Sequence, residues 1–234
     1  MKRRPNLTIR FVAGTALFSV VLTCAAADGE QLLASRCAGC HNLTGPAPAT
    51  LQALWDRKGP DLFYAGNKYK ALWMQQWLQK PTRIRPAGMF YAAHIKPGPK
   101  SDEIDDATLD KHPALSPEDA KAVTAVLMQR KSGSDFVTAG AYTPGTISSS
   151  TGEMMFDKFR GCLACHEIEP GFGGLSGPEV YTAGARLQED YLISYLRNPQ
   201  AWDPKTFMPN KHLSDTDLQK LVHYLRLLSE ESER

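Results

Sequence analysis

The sequence predicts an all-α chain built as two tandem copies of one small helical unit. Three observations lead there. A set of residues recurs without a gap in both halves, each half closes with an apolar stretch of helical period, and no βαβ pattern surrounds either of two identical Cys-x-x-Cys-His pentapeptides.

The repeat sets the register. Gly59-Pro60 corresponds to Gly177-Pro178, and from there Ala65-Gly66 matches Ala183-Gly184, Trp73 matches Tyr191, Trp77-Leu78 matches Tyr195-Leu196, and Pro81 matches Pro199. Further on, Leu115-Ser116 corresponds to Leu213-Ser214, each opening a helix. Ser116, Pro117 and Glu118 form one start signal, followed by Val123, Val126 and Leu127; Ser214 and Asp217 form the other, followed by Leu218, Leu221, Val222, Leu225 and Leu228.

In chain order, residues 1–27 read as a signal peptide: basic Lys2, Arg3, Arg4 and Arg10, an apolar run from Phe11 to Leu22, then Ala25-Ala26-Ala27 before Asp28. The run is shorter than the ~20 residues of a membrane-spanning helix, which favours cleavage after Ala27 over an uncleaved anchor. Thr23 before Cys24 argues against lipidation there, and Arg3-Arg4 alone does not make a twin-arginine signal. The whole chain carries 27 basic and 25 acidic residues; without the leader it holds 23 against 25, a balance with no basic stripe for nucleic acid. The first unit spans 28–132, with an insertion at about 91–114 holding Asp102, Glu103, Asp105, Asp106 and Asp110. A Gly/Ser/Thr-rich linker, 133–151, leads to the second unit, 152–234.

The pentapeptides carry the chemistry. Cys37-Ala38-Gly39-Cys40-His41 and Cys162-Leu163-Ala164-Cys165-His166 have the attachment spacing of c-type haem, in which two thiols add to the vinyl groups of one porphyrin and the adjacent histidine becomes the proximal iron ligand. At this chain's Cys and His frequencies one such match arises by chance in about three sequences per thousand, so two do not. Zinc would need a second ligand pair at defined spacing, and a thioredoxin-like dithiol would need a βαβ frame. With Cys24 removed, all four remaining cysteines belong to the two motifs and none is left for a disulfide. Each unit is small for a self-sufficient core, and a haem would supply the apolar centre. The aromatic residues read as packing around it.

Helix, CxxCH, Gly-Pro, a Tyr/Trp-Leu-x-x-Pro helix end, a loop methionine and a closing helix together resemble the class I cytochrome c family, over most of 152–234 and over 28–132 apart from the insertion. The resemblance implies two tandem class I cytochrome c-like haem domains with two covalently bound haems. It also implies that the carbonyls of Pro60 and Pro178 accept the other N–H of His41 and His166, fixing each imidazole's orientation and basicity.

Electron-transfer haems have both axial positions filled, and the Met-Pro pair that the family places at the distal ligand is here Met208-Pro209, with His212 as the fallback. In the first unit the repeat points to Met89, but Phe90 replaces the proline and the insertion follows. His94 is the alternative ligand, and His112 lies within the insertion. Met74, Met154 and Met155 read as packing residues, Met128 falls after the closing helix has begun, and His223 reads as packing or surface.

The expected function is one-electron transfer between redox protein donors and acceptors, with no small-molecule substrate. The expected place is the periplasm, either free or held to a membrane complex by an uncleaved leader or a partner. The acidic insertion reads as a solvated loop before it reads as a docking patch. The competing class is a dihaem enzyme of peroxidase or thiosulfate-oxidising type, which requires a displaceable sixth ligand, and the first haem is where that would occur.

Overall fold

The computed structural model describes residues 28–99 and 102–232; the leader read over 1–27, Cys24 included, lies outside them. The chain is largely helical. The helix ahead of each cysteine motif ends in a wider π-type turn, Leu33–Cys37 in the first half and Met155–Phe159 in the second. After the motif come a short helix, Ala65–Lys68 or Ala183–Arg186, and a longer one, Ala71–Gln79 or Glu189–Arg197.

The closing helices lie where the start signals place them, at Pro117–Leu127 and Asp215–Ser232. Ser116 Oγ accepts from Asp119 N at 3.1 Å and Ser214 Oγ accepts from Asp217 N at 3.2 Å, satisfying donors that the first turn leaves orphaned. Each closing helix or its end packs onto the repeated Ala-Gly pair. A methyl group built on Gly66 would sit 2.2 Å from Met128 O, and one on Gly184 would sit 2.5 Å from Arg226 Cα. The repeat preserves that close approach of backbones.

The two halves meet about a local two-fold relationship. Tyr69 and its repeat equivalent Leu187 form an isolated antiparallel bridge, with Lys70 N donating to Arg186 O and Gln188 N to Lys68 O, both at 2.9 Å. The side chains follow the same symmetry: Lys70 Nζ donates to Gly184 O at 2.7 Å, and Gln188 Nε2 to Gly66 O at 2.8 Å. Such an arrangement is isologous, with each half giving the same patch to the other. Around it, Tyr64, Tyr191 and Trp202 stack with ring centroids 4.8–6.4 Å apart, and the buried apolar residues of both halves form one cluster. Arg57 reaches across to Asp203 at 2.8 Å while holding Asp61 at 3.2 Å, with all three side chains nearly buried.

Three local features refine or differ from the sequence reading. Two small antiparallel hairpins interrupt the all-α pattern: Ile95–Lys96 with Glu103–Ile104, and Glu167–Glu169 with Phe172–Gly173. The first lies in the insertion, where Arg83 pairs with Asp106 and Lys96 lies 4.0 Å from Asp105, so part of its acidity is neutralised in place. Composition left the linker either to cross a surface or to flex, and the structure shows it fastened across the surface as a strap. Asp190 accepts from Gly140 N and Tyr142 N, both at 2.8 Å, Gln219 donates to Ala141 O, and a helix at Ser149–Met154, capped by Ser148, begins inside the span read as linker. Met155 is buried as expected, whereas Met154, the last residue of the helix before the π-type turn, is half exposed.

Candidate functional site

Both pentapeptides form the same tight turn. Cys37 O accepts from Cys40 N at 3.1 Å and from His41 N at 3.0 Å; Cys162 O accepts from Cys165 N at 3.1 Å and from His166 N at 3.2 Å. The turn places one half-buried and one exposed thiol beside each imidazole, and all four cysteines are free. Burial raises the pKa of Cys37 and pushes that of Cys162 up to about 11, so these are protonated thiols at neutral pH. No group of three or more His, Cys, Asp or Glu among the described residues is placed to hold a metal ion.

His41 Nδ1 donates to Pro60 O at 2.8 Å, and His166 Nδ1 donates to Pro178 O at 2.7 Å. Burial lowers the pKa of both rings, against a smaller raising effect of the proline carbonyls, which keeps each imidazole neutral with Nε2 as its lone-pair nitrogen. The glycine before each proline has its own part, which motif reading missed. A methyl group on Gly59 would sit 2.6 Å from His41 Cε1, and one on Gly177 would sit 2.6 Å from His166 Cε1 and Nδ1. The imidazole lies flat on a position where no side chain fits.

Met208 is half-buried on a loop whose shape is held from both sides: Gln200 Nε2 donates to Met208 O at 2.8 Å, and Met208 N donates to Thr206 Oγ1 at 3.3 Å. His212, in contrast, is exposed with φ 48°. Met89 is half-buried on the corresponding first-half loop, and its neighbour Phe90 stacks on Trp55 and on Phe207, with centroids 5.3 and 6.3 Å away. His94 is tied into the insertion, its Nδ1 2.8 Å from Thr108 Oγ1 and its ring against Gly88. The ring that stands across from His41 is that of His112, at a centroid distance of 6.2 Å. Nothing in the repeat pointed to it, because the insertion has no counterpart in the second half. His223 fastens the strap through Nε2 to Thr143 O at 3.0 Å.

Cations collect where the halves meet. Lys68 Nζ lies 5.1–5.9 Å from the rings of Tyr64, Tyr69 and Tyr191, and neither Lys68 nor Arg85 forms an ion pair with a described carboxylate. Arg85 and Arg186 both stand close enough to His166 to lower its pKa. A haem presents two thiol-reactive vinyl groups, an iron that takes imidazole nitrogen, and two carboxylates. Paired thiols, a neutral oriented imidazole and unpaired cations fit all three.

Residues 149–225 match the family model described as Cytochrome C oxidase, cbb3-type, subunit III. The matched segment contains Cys162, Cys165, His166, Pro178 and Met208, and the match supports a c-type cytochrome domain there, for which covalent haem and electron transfer are the implied chemistry. Neither the curated proteins nor the solved structures gave a match.

Proposed function

We propose that this chain is an exported dihaem c-type cytochrome that passes single electrons between redox protein partners in the periplasm, as a free carrier or as the cytochrome subunit of a respiratory or dehydrogenase complex. One observation carries the reading. The imidazole-to-proline hydrogen bond, the glycine beneath the ring and the cysteine turn recur in the first half with distances within 0.2 Å of those in the half that the cytochrome model matches. Cys37 and Cys40 would tether one haem and Cys162 and Cys165 the other; His41 and His166 would ligate; Pro60 and Pro178 would orient them. Bound haem supplies a one-electron iron couple, and the protein holds its axial imidazoles neutral and fixed, so that charge changes with little rearrangement.

Met208 completes the second site, and in the first the sequence leaves Met89 and His94 as candidates. Lys68 and Arg85 are suited to the haem carboxylates. The single apolar core shared by both halves would hold the two centres at a fixed separation, as transfer between them requires. Among the described residues no helix is long and apolar enough to cross a membrane.

The test is a potentiometric titration of the purified mature protein followed by absorption. Two separable one-electron steps in low-spin spectra that ignore added cyanide and peroxide are expected. A haem that binds either ligand in the resting protein would move the assignment to the enzyme class.

A further inference from the structure

We propose that His112 is the sixth ligand of the first haem, giving that site His41/His112 ligation while the second keeps His166/Met208. The inference rests on the dihaem reading above and identifies a ligand within it.

The spacing is the first ground. Imidazole nitrogens bond first-row metals at about 2.0–2.1 Å, and a ring centre lies about 1.1 Å behind its nitrogen, so two imidazoles on opposite faces of one metal have centres about 6.3 Å apart. His41 and His112 are 6.2 Å apart, their planes tilted by 56°. Ordinary ring packing also spans about 4.5–7 Å, as the 6.4 Å between Phe156 and His166 shows, so the spacing admits a shared iron and the roles of the ring nitrogens decide between the two.

Nitrogen assignment is the second ground. His112 Nδ1 donates to Pro113 O at 2.9 Å, just as His41 Nδ1 donates to Pro60 O. Each ring therefore has Nδ1 committed to a backbone carbonyl and Nε2 left as the lone-pair nitrogen, the same division of roles on both. His94 is placed differently, held by Thr108 within the hairpin.

The third ground is that the backbone positions His112 deliberately. Leu115 N donates to Leu78 O at 2.9 Å and its side chain is buried, pinning the segment three residues on to the end of helix Ala71–Gln79. Pro113 restricts the chain between them. Trp77, which flanks the His112 ring, is itself anchored by its indole N–H to Thr82 O at 3.1 Å. The insertion thus delivers an oriented imidazole beside the first cysteine motif. Two imidazoles alone would leave a free ion under-coordinated, whereas a porphyrin supplies the other four donors.

The consequence is a direction. A second imidazole stabilises ferrous iron less than a thioether does, so the first haem is the low-potential centre and electrons run from it to the His166/Met208 centre. Both irons are saturated, which leaves no displaceable position of the kind an enzyme needs.

The test uses the purified holoprotein. Pyridine haemochrome counts the haems, and a count below two would break the dihaem reading itself. With two present, the ferric wild-type protein should show one methionine-to-iron charge-transfer signature and one bis-imidazole signature by near-infrared magnetic circular dichroism. Two methionine signatures would overturn the proposal without touching the haem count. His112→Ala should turn one of the two haems high-spin, and added imidazole should return it to low-spin. Met89→Leu and His94→Ala should leave both low-spin. A His112→Ala protein with both haems low-spin, or a Met89→Leu protein with one high-spin, would equally overturn it, and the wild-type spectrum decides should a variant fail to mature.

Discussion

Replacing Gly177 by alanine separates the role of the ring's seat from that of the cysteine turn. The new methyl group would lie 2.6 Å from both Cε1 and Nδ1 of His166 and 2.8 Å from Cys165 O, where van der Waals contact begins near 3.4 Å. The turn backbone is fixed by two hydrogen bonds to Cys162 O, so the ring must move, and it cannot move without straining its 2.7 Å bond to Pro178 O. Overpacking of this kind costs about 1–3 kcal/mol, and for a chain of this size each kcal/mol lowers Tm by about 2–4 °C. A fall of about 2–12 °C is therefore expected. A weakened Nδ1 bond also makes the imidazole a poorer donor to iron, so the potential of the second haem should rise while that of the first stays put. Differential scanning calorimetry and a potentiometric titration read the two effects. A Gly177→Ala protein with unchanged Tm and potential would refute the close-packed seat. Gly59→Ala should reproduce the pattern at the first haem, since its methyl group would lie 2.6 Å from His41 Cε1.

Arg57→Ala strands two buried carboxylates, Asp61 and Asp203, and should cost about 3–5 kcal/mol in urea unfolding at pH 7. Burial already raises the Asp61 pKa against the lowering pull of Arg57, and removing Arg57 leaves the folded value further above the unfolded one. A raised carboxyl favours the fold below the unfolded pKa and loses that advantage as pH rises through the folded pKa, so the penalty should shrink at pH 4; a pH-independent penalty would contradict this. Trp202→Ala, which empties the ring stack shared with Tyr64 and Tyr191, should cost about 3–5 kcal/mol and weaken one cooperative transition rather than split it in two. Asp190→Ala removes the clamp on Gly140 N and Tyr142 N, and hydrogen exchange across 138–144 should accelerate while both haem spectra stay unchanged.

What the sequence made legible was what chemistry confines to a short span. CxxCH fixes two thiols and a ligand within five residues, and the repeat carried Gly-Pro, Ala-Gly and the helix ends into register because both halves solve the same packing problem. The closing helices were readable because Ser116 and Ser214 cap them locally. His112 was not, because its role depends on an insertion that folds back onto His41, a contact across 71 residues with no equivalent to compare. Composition marked the linker but left open whether it crosses a surface or flexes, because the partners that hold it, Asp190 and Gln219 on distant helices, do not register in composition. Lys68 and Arg85 carry no motif, and only the meeting of the halves sets Lys68 among tyrosines and Arg85 near the second imidazole.

Peptide mass spectrometry of the purified mature protein tests the central claim most directly. The peptides containing Cys37–His41 and Cys162–His166 should each carry one haem mass through thioether bonds. Haem on the second peptide alone, with Cys37 and Cys40 recovered as free thiols, would contradict the account.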